Sequence, residues 1–407
     1  MISPRPHEPL RRRRRARPRG PLGSRPAVSG PLTGTRVVEL VGLGPGPFCG
    51  MVLADLGADV LRVDRVDAAN ALDRGRPATN AMHRSKRAIG LDLKAGDGLD
   101  TLLRLVDRAD AFVEVFRPGV AERLGFGPEV CCGRNPRLVY GRLTGWGQTG
   151  PLATSAGHDI DYLAVAGALE PLGRAGEPPT PPINVLGDFA GGGLVLALGV
   201  VAALFEREHS GKGQVVDAAM VDGAALLLTP FYAARAAGAW GPRGTNLLDT
   251  GAPFYDVYET ADHGWLALGA IEEQFYAALL EGLGLADAGL PAQMDRDGWP
   301  ELRARFAAAI RSRTRDEWVE RFAGLDACVA PVLTPIEAPD HPQSRARDAF
   351  ITMGGVPQPA PAPRFSRSTL AAPRPPEHPG ASTTDALAGW GFDAAEVATL
   401  QNADVLA

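Results

Sequence analysis

The feature that most constrains the fold is a regular alternation of short apolar runs and helical segments between residues 36 and 143. RVVELVG and DVLRVDR have the size and composition of β-strands, and PFCGMVLADLGA between them is typical of a helix that ends near Gly57. The alternation continues through IGLDL, AFVEV and RLVYGRL. Strands separated by helices form βαβ units, so we expect an α/β domain with a mostly parallel, Rossmann-like sheet.

Changes in composition and apolar periodicity divide the 407 residues into five parts. Residues 1–30 are rich in Pro, Arg and Gly without apolar periodicity, so we expect a disordered extension there. Residues 31–225 are predicted to form the first part of the large α/β domain, followed by a linker over 226–250. A smaller α+β domain over 251–345 opens with a hairpin whose turn is Ala-Asp-His-Gly. Residues 346–407 are expected to return as a Pro-rich strap and complete the large domain.

The turn after the first strand, Gly42–Pro47, reads GLGPGP and resembles a dinucleotide-binding loop only superficially. It fails the GxGxxG pattern because Pro47 stands where the third glycine belongs, and two prolines stiffen the turn. A nicotinamide cofactor is therefore not expected.

Charge and cysteine usage exclude several classes of protein. Against an overall net charge of −5, the first 30 residues carry nine arginines and one glutamate, so the remaining chain carries −13 and general nucleic-acid binding is not expected. Four cysteines without CxxC or Cys/His metal spacing predict neither a disulfide framework nor a structural metal, and favour a cytoplasmic location. The apolar run Ala190–Phe205 is too short for a membrane span and contains four glycines, so a core helix fits better.

The stretch Gly157–Gly193 contains the groups best suited to proton-transfer chemistry. His158 begins a segment of helical spacing that places Asp161 and Tyr162 on its own face. Asp188 precedes a glycine-rich helix start, where an aspartate is a good N-cap and the free amides of the first turn can hold an oxyanion. A structural histidine and a simple helix cap remain the alternative interpretation of these two residues.

Basic residues recur near the loops of the predicted large domain, although the body of the chain is acidic. Such a set suggests a ligand that carries phosphates, with scattered solvated charges as the alternative. The residues are Arg65, Arg84, Lys86, Arg87, Arg117 and Arg123.

Several long motifs occur in a fixed order and carry a family resemblance. They are GTRVVELVGLGPGP, MVLADLGADVLRVDR, FRPGVAERLGFGPE, LVYGRLTGWGQTGP, AGHDIDYLAVAGAL, GDFAGGG and GKGQVVDAAMVDG. From about Pro31 to the C-terminus the chain resembles the family III CoA-transferase superfamily, also called CaiB/BaiF, and within it the racemase branch is the most similar. Single motifs of this kind carry little weight, but seven in order are specific.

The resemblance implies an enzyme that interconverts (R)- and (S)-2-methylacyl-CoA thioesters without a metal or redox cofactor, since CoA is part of the substrate. It implies an interlocked homodimer whose active sites lie between the large domain of one subunit and the small domain of the other. The matching bases are His158 and Asp188, on opposite faces of the α-carbon, and Glu272 of the small domain steadies the histidine. The residues expected to bind CoA are Asp159, Tyr162 and the six basic residues named above.

Two alternatives stay open within the resemblance. Family III transferases use an aspartate at the position of Asp188 as a nucleophile that forms an acyl anhydride, and a CoA-binding protein without turnover forms a third class.

Racemases often have Asn where this chain has Asp161, and a further carboxylate near His158 favours the protonated imidazole. The sequence leaves the natural acyl chain undefined.

Overall fold

The computed structural model describes residues 30–70 and 80–407, so the predicted N-terminal extension lies outside the described residues apart from Gly30. Six parallel strands form the main sheet in the order β3-β2-β1-β4-β5-β6. In chain order they are β1 (Arg36–Leu40), β2 (Asp59–Arg65), β3 (Arg87–Leu91), β4 (Ala111–Glu114), β5 (Val139–Thr144) and β6 (Val215–Ala219). The predicted α/β architecture is confirmed, and its strand order reverses between β1 and β4, where ligands of such sheets bind.

Helices connect these strands and cover both faces of the sheet. They are α1 (Pro45–Asp55), α2 (Val66–Asn70), α3 (Gly96–Val106), α4 (Val120–Arg123), α5 (Pro128–Arg134), α6 (Asp159–Val165), α7 (Val195–Ser210), α8 (Met220–Leu227) and α9 (Thr229–Ala236). Successive strand residues point to opposite faces. Val38 and Phe112 therefore enter the core beneath α3, whereas Val37 and Val113 enter the core beneath α1 and α7.

The C-terminal segment returns to the large sheet. After the hairpin β10 (Phe350–Met353) and β11 (Val356–Pro359), helices α14 (Thr383–Gly389) and α15 (Ala394–Asn402) pack on the α3 side. Trp390, between the two helices, is completely buried in that core. Gly90 and Ala407 exchange two backbone hydrogen bonds of 3.1 Å, so the last residues cover the edge of the sheet beyond β3.

The small domain is built on a three-stranded antiparallel sheet in the order β7-β8-β9. Its elements are β7 (Tyr255–Glu259), β8 (Trp265–Gly269), α10 (Glu273–Leu283), α11 (Trp299–Ile310), α12 (Arg315–Arg321) and β9 (Val329–Pro331), with α13 (Pro342–Ala346) leading back out. Trp299, Phe306 and Trp318 fill a separate core. The predicted hairpin turn joins β7 to β8, with His263 in the left-handed region at φ 60°.

The helical run Ile183–Ser210 is, in the part of the chain that the structure describes, long and apolar enough to cross a membrane by length and composition alone. Core helices of soluble proteins pass the same test. In this fold Leu196 and Val200 of α7 are fully buried against the sheet, so one side of the run belongs to the core of the large domain.

Within that run, Leu186–Leu194 is a π-helix. Its glycines allow two helices to approach without intervening side chains: a Cβ on Gly191 would lie 2.8 Å from the Ala224 nitrogen of α8, and one on Gly193 would lie 2.5 Å from the Pro45 oxygen of α1. Real Cβ atoms do not approach other atoms this closely. The π-helix is therefore held between α1 and α8, beside the point where the strand order reverses.

This packing predicts that Gly191→Ala destabilises the fold by about 1–3 kcal/mol, because the added methyl group overpacks a backbone contact. Gly133→Ala is the matched control, since Gly133 lies in helix α5 and a Cβ there would meet nothing within 4 Å. The control is expected to be neutral or to stabilise by up to about 1 kcal/mol. Urea unfolding of both variants at one protein concentration measures the difference; equal midpoints would contradict the packing argument.

Candidate active site

A cavity of about 410 Å³ opens at the carboxyl ends of β1, β4 and β5, at the reversal of strand order. His158 and Asp188, the two predicted bases, both line it. Gly44, Arg117 and Trp146 form other parts of its wall. The fold thus brings together two groups that lie 30 residues apart in the sequence.

A second cavity of about 410 Å³ follows along the carboxyl ends of β2 and β3, and it is mostly apolar with charges at its rim. Val41 and Phe116 contribute to both cavities, so the two are neighbours along one edge of the sheet. Arg65 and Lys94 line the second cavity. Together the cavities form an elongated site with His158, Asp188 and Arg117 in one half and Arg65 and Lys94 in the other.

His158 is the N-cap residue of α6, in extended backbone conformation, and its side chain is exposed. The Asp161 carboxylate accepts a hydrogen bond of 2.9 Å from the backbone N–H of His158. One face of the helix does bring these residues together, but the carboxylate binds the main chain of His158. This chain therefore uses Asp161 to fix the start of the helix that carries the imidazole.

Tyr162 also stabilises the start of α6. Its hydroxyl donates to the carbonyl of Gly157, and its ring packs edge-on against Trp146 with centroids 4.8 Å apart. Tyr162 is buried, and burial raises the pKa of its hydroxyl. Tyr162 also lines the first cavity, so part of its ring is available to a bound ligand while its hydroxyl is engaged.

Asp188 lies within the π-helix, not at a helix N-cap as the sequence predicted. The N-cap is Val185, and the N–H of Asp188 donates to Asp159 instead of pointing to the cavity. The Asp188 carboxylate accepts from Asn184 Nδ2 at 3.1 Å. A Cβ on Gly44 would lie 3.3 Å from Asp188 Oδ2, so the glycine at the β1–α1 turn leaves one side of the carboxylate open.

Asp159, predicted to contact CoA, is nine-tenths buried, and its carboxylate is engaged within the fold. Its Oδ1 accepts the N–H of Asp188 at 2.6 Å. Burial raises the pKa of this carboxyl, and the nearby charge of Asp188 acts in the same direction against the hydrogen bonds from the amides of Asp188 and Gly187. The side chain thus joins α6 to the π-helix.

Two of the predicted phosphate ligands form buried ion pairs. Lys86 is 1% exposed and places Nζ 2.6 Å from Glu39 Oε2 and 2.9 Å from the Pro47 carbonyl. Arg84 is 4% exposed and pairs with Asp55. Burial lowers the pKa of Lys86 and raises that of Glu39, each opposed by the charge of its partner. Neither cation is free to bind a phosphate, so their pairing corrects the sequence-based expectation.

The remaining four predicted cations occupy different places. Arg65 and Arg117 are exposed and line the second and first cavity, respectively. Arg87 begins β3, at the amino end of the strand, and pairs with Asp59 at 2.6 Å. Arg123 is exposed at the end of α4 and contributes to neither cavity wall among the described residues. Arg65 and Arg117 are therefore the cations best placed for a ligand in this site, and Arg65 also forms an exposed ion pair with Asp67 at 2.5 Å.

Glu272, the third predicted catalytic residue, is exposed in the small domain as the N-cap residue of α10. Its side chain makes no capping hydrogen bond. Within one chain it does not line the cavity that contains His158, as far as the described residues show. The structure therefore does not bring Glu272 and His158 together within the subunit.

Glu114 is a buried carboxylate that the sequence analysis missed. It ends β4, accepts the Phe116 N–H at 2.6 Å and lies 3.2 Å from the Arg142 guanidinium. Burial raises the pKa of Glu114 to about 7, with the hydrogen bond from the Phe116 amide opposing it. The residue holds the loop that presents Phe116 and Arg117 to the site; a charged residue inside the apolar run AFVEVF was the available signal.

Among the described residues no group of three or more His, Cys, Asp or Glu side chains could hold a metal ion. The chemistry available to the site is that of one imidazole and one carboxylate that share a cavity, with cations along the neighbouring rim.

Comparison with known proteins identifies the family of the chain. The family model of CoA-transferase family III matches residues 32–383. The chain belongs to CoA-transferase family III. It is 50% identical to alpha-methylacyl-CoA racemase of Mus musculus, over 91% of this chain and 96% of the relative, and 47% identical to that of Homo sapiens, over 92% and 97%. The crystal structure of a CAIB/BAIF family protein from Brucella suis superposes with a TM-score of 0.78 at 25% identity, covering 89% of this chain and 100% of that one.

The division of cations into buried and exposed predicts opposite effects of two substitutions. Lys86→Met leaves Glu39 buried without its partner and is expected to lower the free energy of unfolding by about 3–5 kcal/mol. Arg117→Ala is expected to leave thermal stability unchanged and to weaken CoA binding roughly 10–100-fold, as loss of a charge-assisted contact does. Thermal unfolding and isothermal titration with CoA measure the two effects.

The double variant Glu39→Met/Lys86→Met is the control, since removing both charges is expected to recover much of the stability. The effect of Arg117→Ala should shrink as salt concentration rises. If Lys86→Met has normal stability and binds CoA more weakly, Lys86 is a phosphate ligand and not the partner of a buried ion pair.

Proposed function

We propose that the protein is a racemase that interconverts (R)- and (S)-2-methylacyl-CoA thioesters by moving the α-proton between the two faces of an enolate. The observation that carries this proposal is the presence of His158 and Asp188 in the wall of one cavity, each on its own structural element. Similarity over almost the whole chain to proteins named alpha-methylacyl-CoA racemase supports it.

The two side chains match what the reaction requires. The α-proton of a thioester is acidic for a carbon acid, because the enolate spreads its charge onto oxygen, and a positioned base removes it. One base takes the proton from one face, while the conjugate acid of the other returns a proton to the opposite face. An imidazole and a carboxylate perform both steps without a metal or redox cofactor, so CoA enters only as part of the substrate.

The elongated site suggests how an acyl-CoA binds. The thioester occupies the cavity of His158 and Asp188, and the nucleotide end extends along the carboxyl ends of β2 and β3. Arg117 and Arg65 are placed for the phosphates, since guanidinium groups bind them through paired hydrogen bonds. The Glu114–Phe116 hydrogen bond keeps the Arg117 loop in place.

A CoA-transferase is the second candidate, because the family includes such enzymes and Asp188 is accessible beside Gly44. In that reaction the carboxylate attacks the thioester carbonyl and releases the CoA thiolate, forming an acyl anhydride. A transferase has no need of a base on the other face of the α-carbon. His158 in the wall of the same cavity therefore favours the racemase.

We infer that the enzyme works as a homodimer in the cytoplasm, with Glu272 of one subunit reaching the His158 of the other. Large apolar side chains are exposed at the end of the π-helix and on α7, α8 and α9, and exposed apolar surface of this kind marks interaction sites. They are Leu194, Leu198, Phe205, Leu226, Leu227 and Tyr232. A second copy covers this face without membrane insertion, and the family's interlocked arrangement accounts for the absence of Glu272 from the cavity wall within one chain.

The two-base proposal predicts that His158→Ala and Asp188→Ala both abolish inversion of 2-methylacyl-CoA, since inversion needs both groups. Each variant is expected to keep deuterium wash-in at the α-carbon of one enantiomer, and the enantiomer should differ between the variants. Mass spectrometry with chiral analysis, starting from pure R and pure S substrate in deuterated water without an acceptor acid, measures this.

Near wild-type inversion in either variant would contradict the assignment of two bases. The wild-type enzyme provides the comparison with the second candidate. Absence of α-exchange in the wild type, together with an acyl–Asp188 anhydride that hydroxylamine traps, would assign the protein to the transferases.

A shared site predicts complementation between two defective subunits. Chains with His158→Ala and chains with Glu272→Ala, each poorly active alone, are expected to form heterodimers in which one of two sites has neither defect, so about half of the wild-type activity returns. Co-expression with two affinity tags isolates the heterodimer. If Glu272 acts within its own chain, every site retains one defect and activity does not return.

A further inference from the structure

The most informative contact outside the two proposed bases is a hydrogen bond between their supporting elements. Asp159 is the first residue of α6, directly after His158, and its Oδ1 accepts the backbone N–H of Asp188 at 2.6 Å. Asp159 is only 9% exposed, and Asp188 is half-buried. A single carboxylate therefore joins the helix start that presents the imidazole to the π-helical turn that presents the carboxylate.

The approach of the two elements depends on the residue before Asp188. A Cβ on Gly187 would lie 2.5 Å from Asp159 Oδ1, so any larger residue at 187 would force the carboxylate away. A π-helical turn is rare and has wider spacing than an α-helix, which makes an external hydrogen bond valuable for fixing its position. The close approach of Gly187 to the Asp159 carboxylate thus helps to fix the position of the turn that carries Asp188.

The two proposed bases are supported unequally. His158 keeps two anchors of its own, the Asp161 carboxylate on its N–H and the Tyr162 hydroxyl on the neighbouring carbonyl of Gly157. The main chain of Asp188 depends on Asp159, while Asn184 contacts only its side chain. Loss of Asp159 should therefore displace Asp188 and leave His158 in place.

We infer that Asp159 is a positioning residue, which sets the location of Asp188 relative to the substrate α-carbon without contacting the substrate. This inference rests on the proposed racemase function. It replaces the expected role of Asp159 in CoA binding, and it assigns the residue to only one of the two proton-transfer directions.

The test measures initial deuterium wash-in at saturating 2-methylacyl-CoA, separately from each pure enantiomer, without an acceptor acid. The enantiomer that still exchanges in His158→Ala identifies the direction that begins at Asp188. Asp159→Ala is expected to slow this direction by roughly 10–100-fold, as a misplacement of about 1 Å does, with the other direction and KM nearly unchanged. Asp159→Asn keeps an oxygen acceptor and should remain within about threefold of wild type.

Two further variants distinguish positioning from general damage. Gly187→Ala pushes the carboxylate away without removing it and should reproduce the one-sided loss, which also covers the case in which Asp159→Ala fails to fold. Asp110→Ala is the matched control, because Asp110 likewise accepts a backbone N–H, that of Arg36 at 2.8 Å, at the amino ends of the strands and away from the site. The control is expected to affect both directions equally.

Equal losses in both directions for Asp159→Ala and Gly187→Ala, as in the control, would overturn the inference in favour of a merely structural role. A raised KM with unchanged saturated rates would overturn it in favour of CoA binding. Absence of α-exchange in the wild-type enzyme would instead refute the proposed function, so the two failures are distinguishable.

Discussion

The position of the proposed site depends on the close packing of the glycine-rich π-helix between α1 and α8. Gly191 and Gly193 allow backbone to meet backbone on either side, where a methyl group would lie under 3 Å from its neighbours. This contact places Asp188 beside the β1–α1 turn at Gly44, at the reversal of strand order. The cavity, the accessible face of the carboxylate and its distance from α6 all follow from an approach that only glycine permits.

The two cavities at the carboxyl edge of the sheet have different linings. The half at β1, β4 and β5 holds His158 and Asp188, whereas the half at β2 and β3 is lined by Arg65 and Lys94. Binding energy from the nucleotide end can thus hold the thioester in place, with Arg117 as the cation in the wall of the cavity that contains the two proposed bases. Catalysis then depends on placing two proton-transfer groups, which loops and helix starts at the carboxyl edge of a parallel sheet do well.

The fold could be predicted from the sequence because its signals are local, whereas the roles of His158 and Asp188 as bases stay a prediction. Strand–helix alternation specifies a parallel sheet, and His158 lies at a recognisable helix start. The roles of Lys86 and Arg84 could not be predicted, since their carboxylate partners, Glu39 and Asp55, lie 47 and 29 residues away. Nothing in a sequence separates a buried ion pair from an exposed cation at such a range.

The contact between Asp159 and the Asp188 amide, and the π-helix itself, were missed for a related reason. A glycine run after an aspartate is typical of a helix start, and only packing against α1 and α8 turns Leu186–Leu194 into a wider turn with Asp188 inside it. The partner of the Asp188 amide lies 29 residues earlier in the chain. Tertiary contacts, which local propensity does not encode, decided both features.

We propose that His158 and Asp188 face opposite sides of one substrate carbon. A crystal structure with bound 2-methylacyl-CoA would reveal this arrangement. We expect an α-carbon between the imidazole and the Asp188 carboxylate, with each reacting atom about 3–3.5 Å away and the phosphates near Arg117 and Arg65. The proposal would be contradicted by an α-carbon remote from His158, or by an acyl group bonded to Asp188 with CoA released.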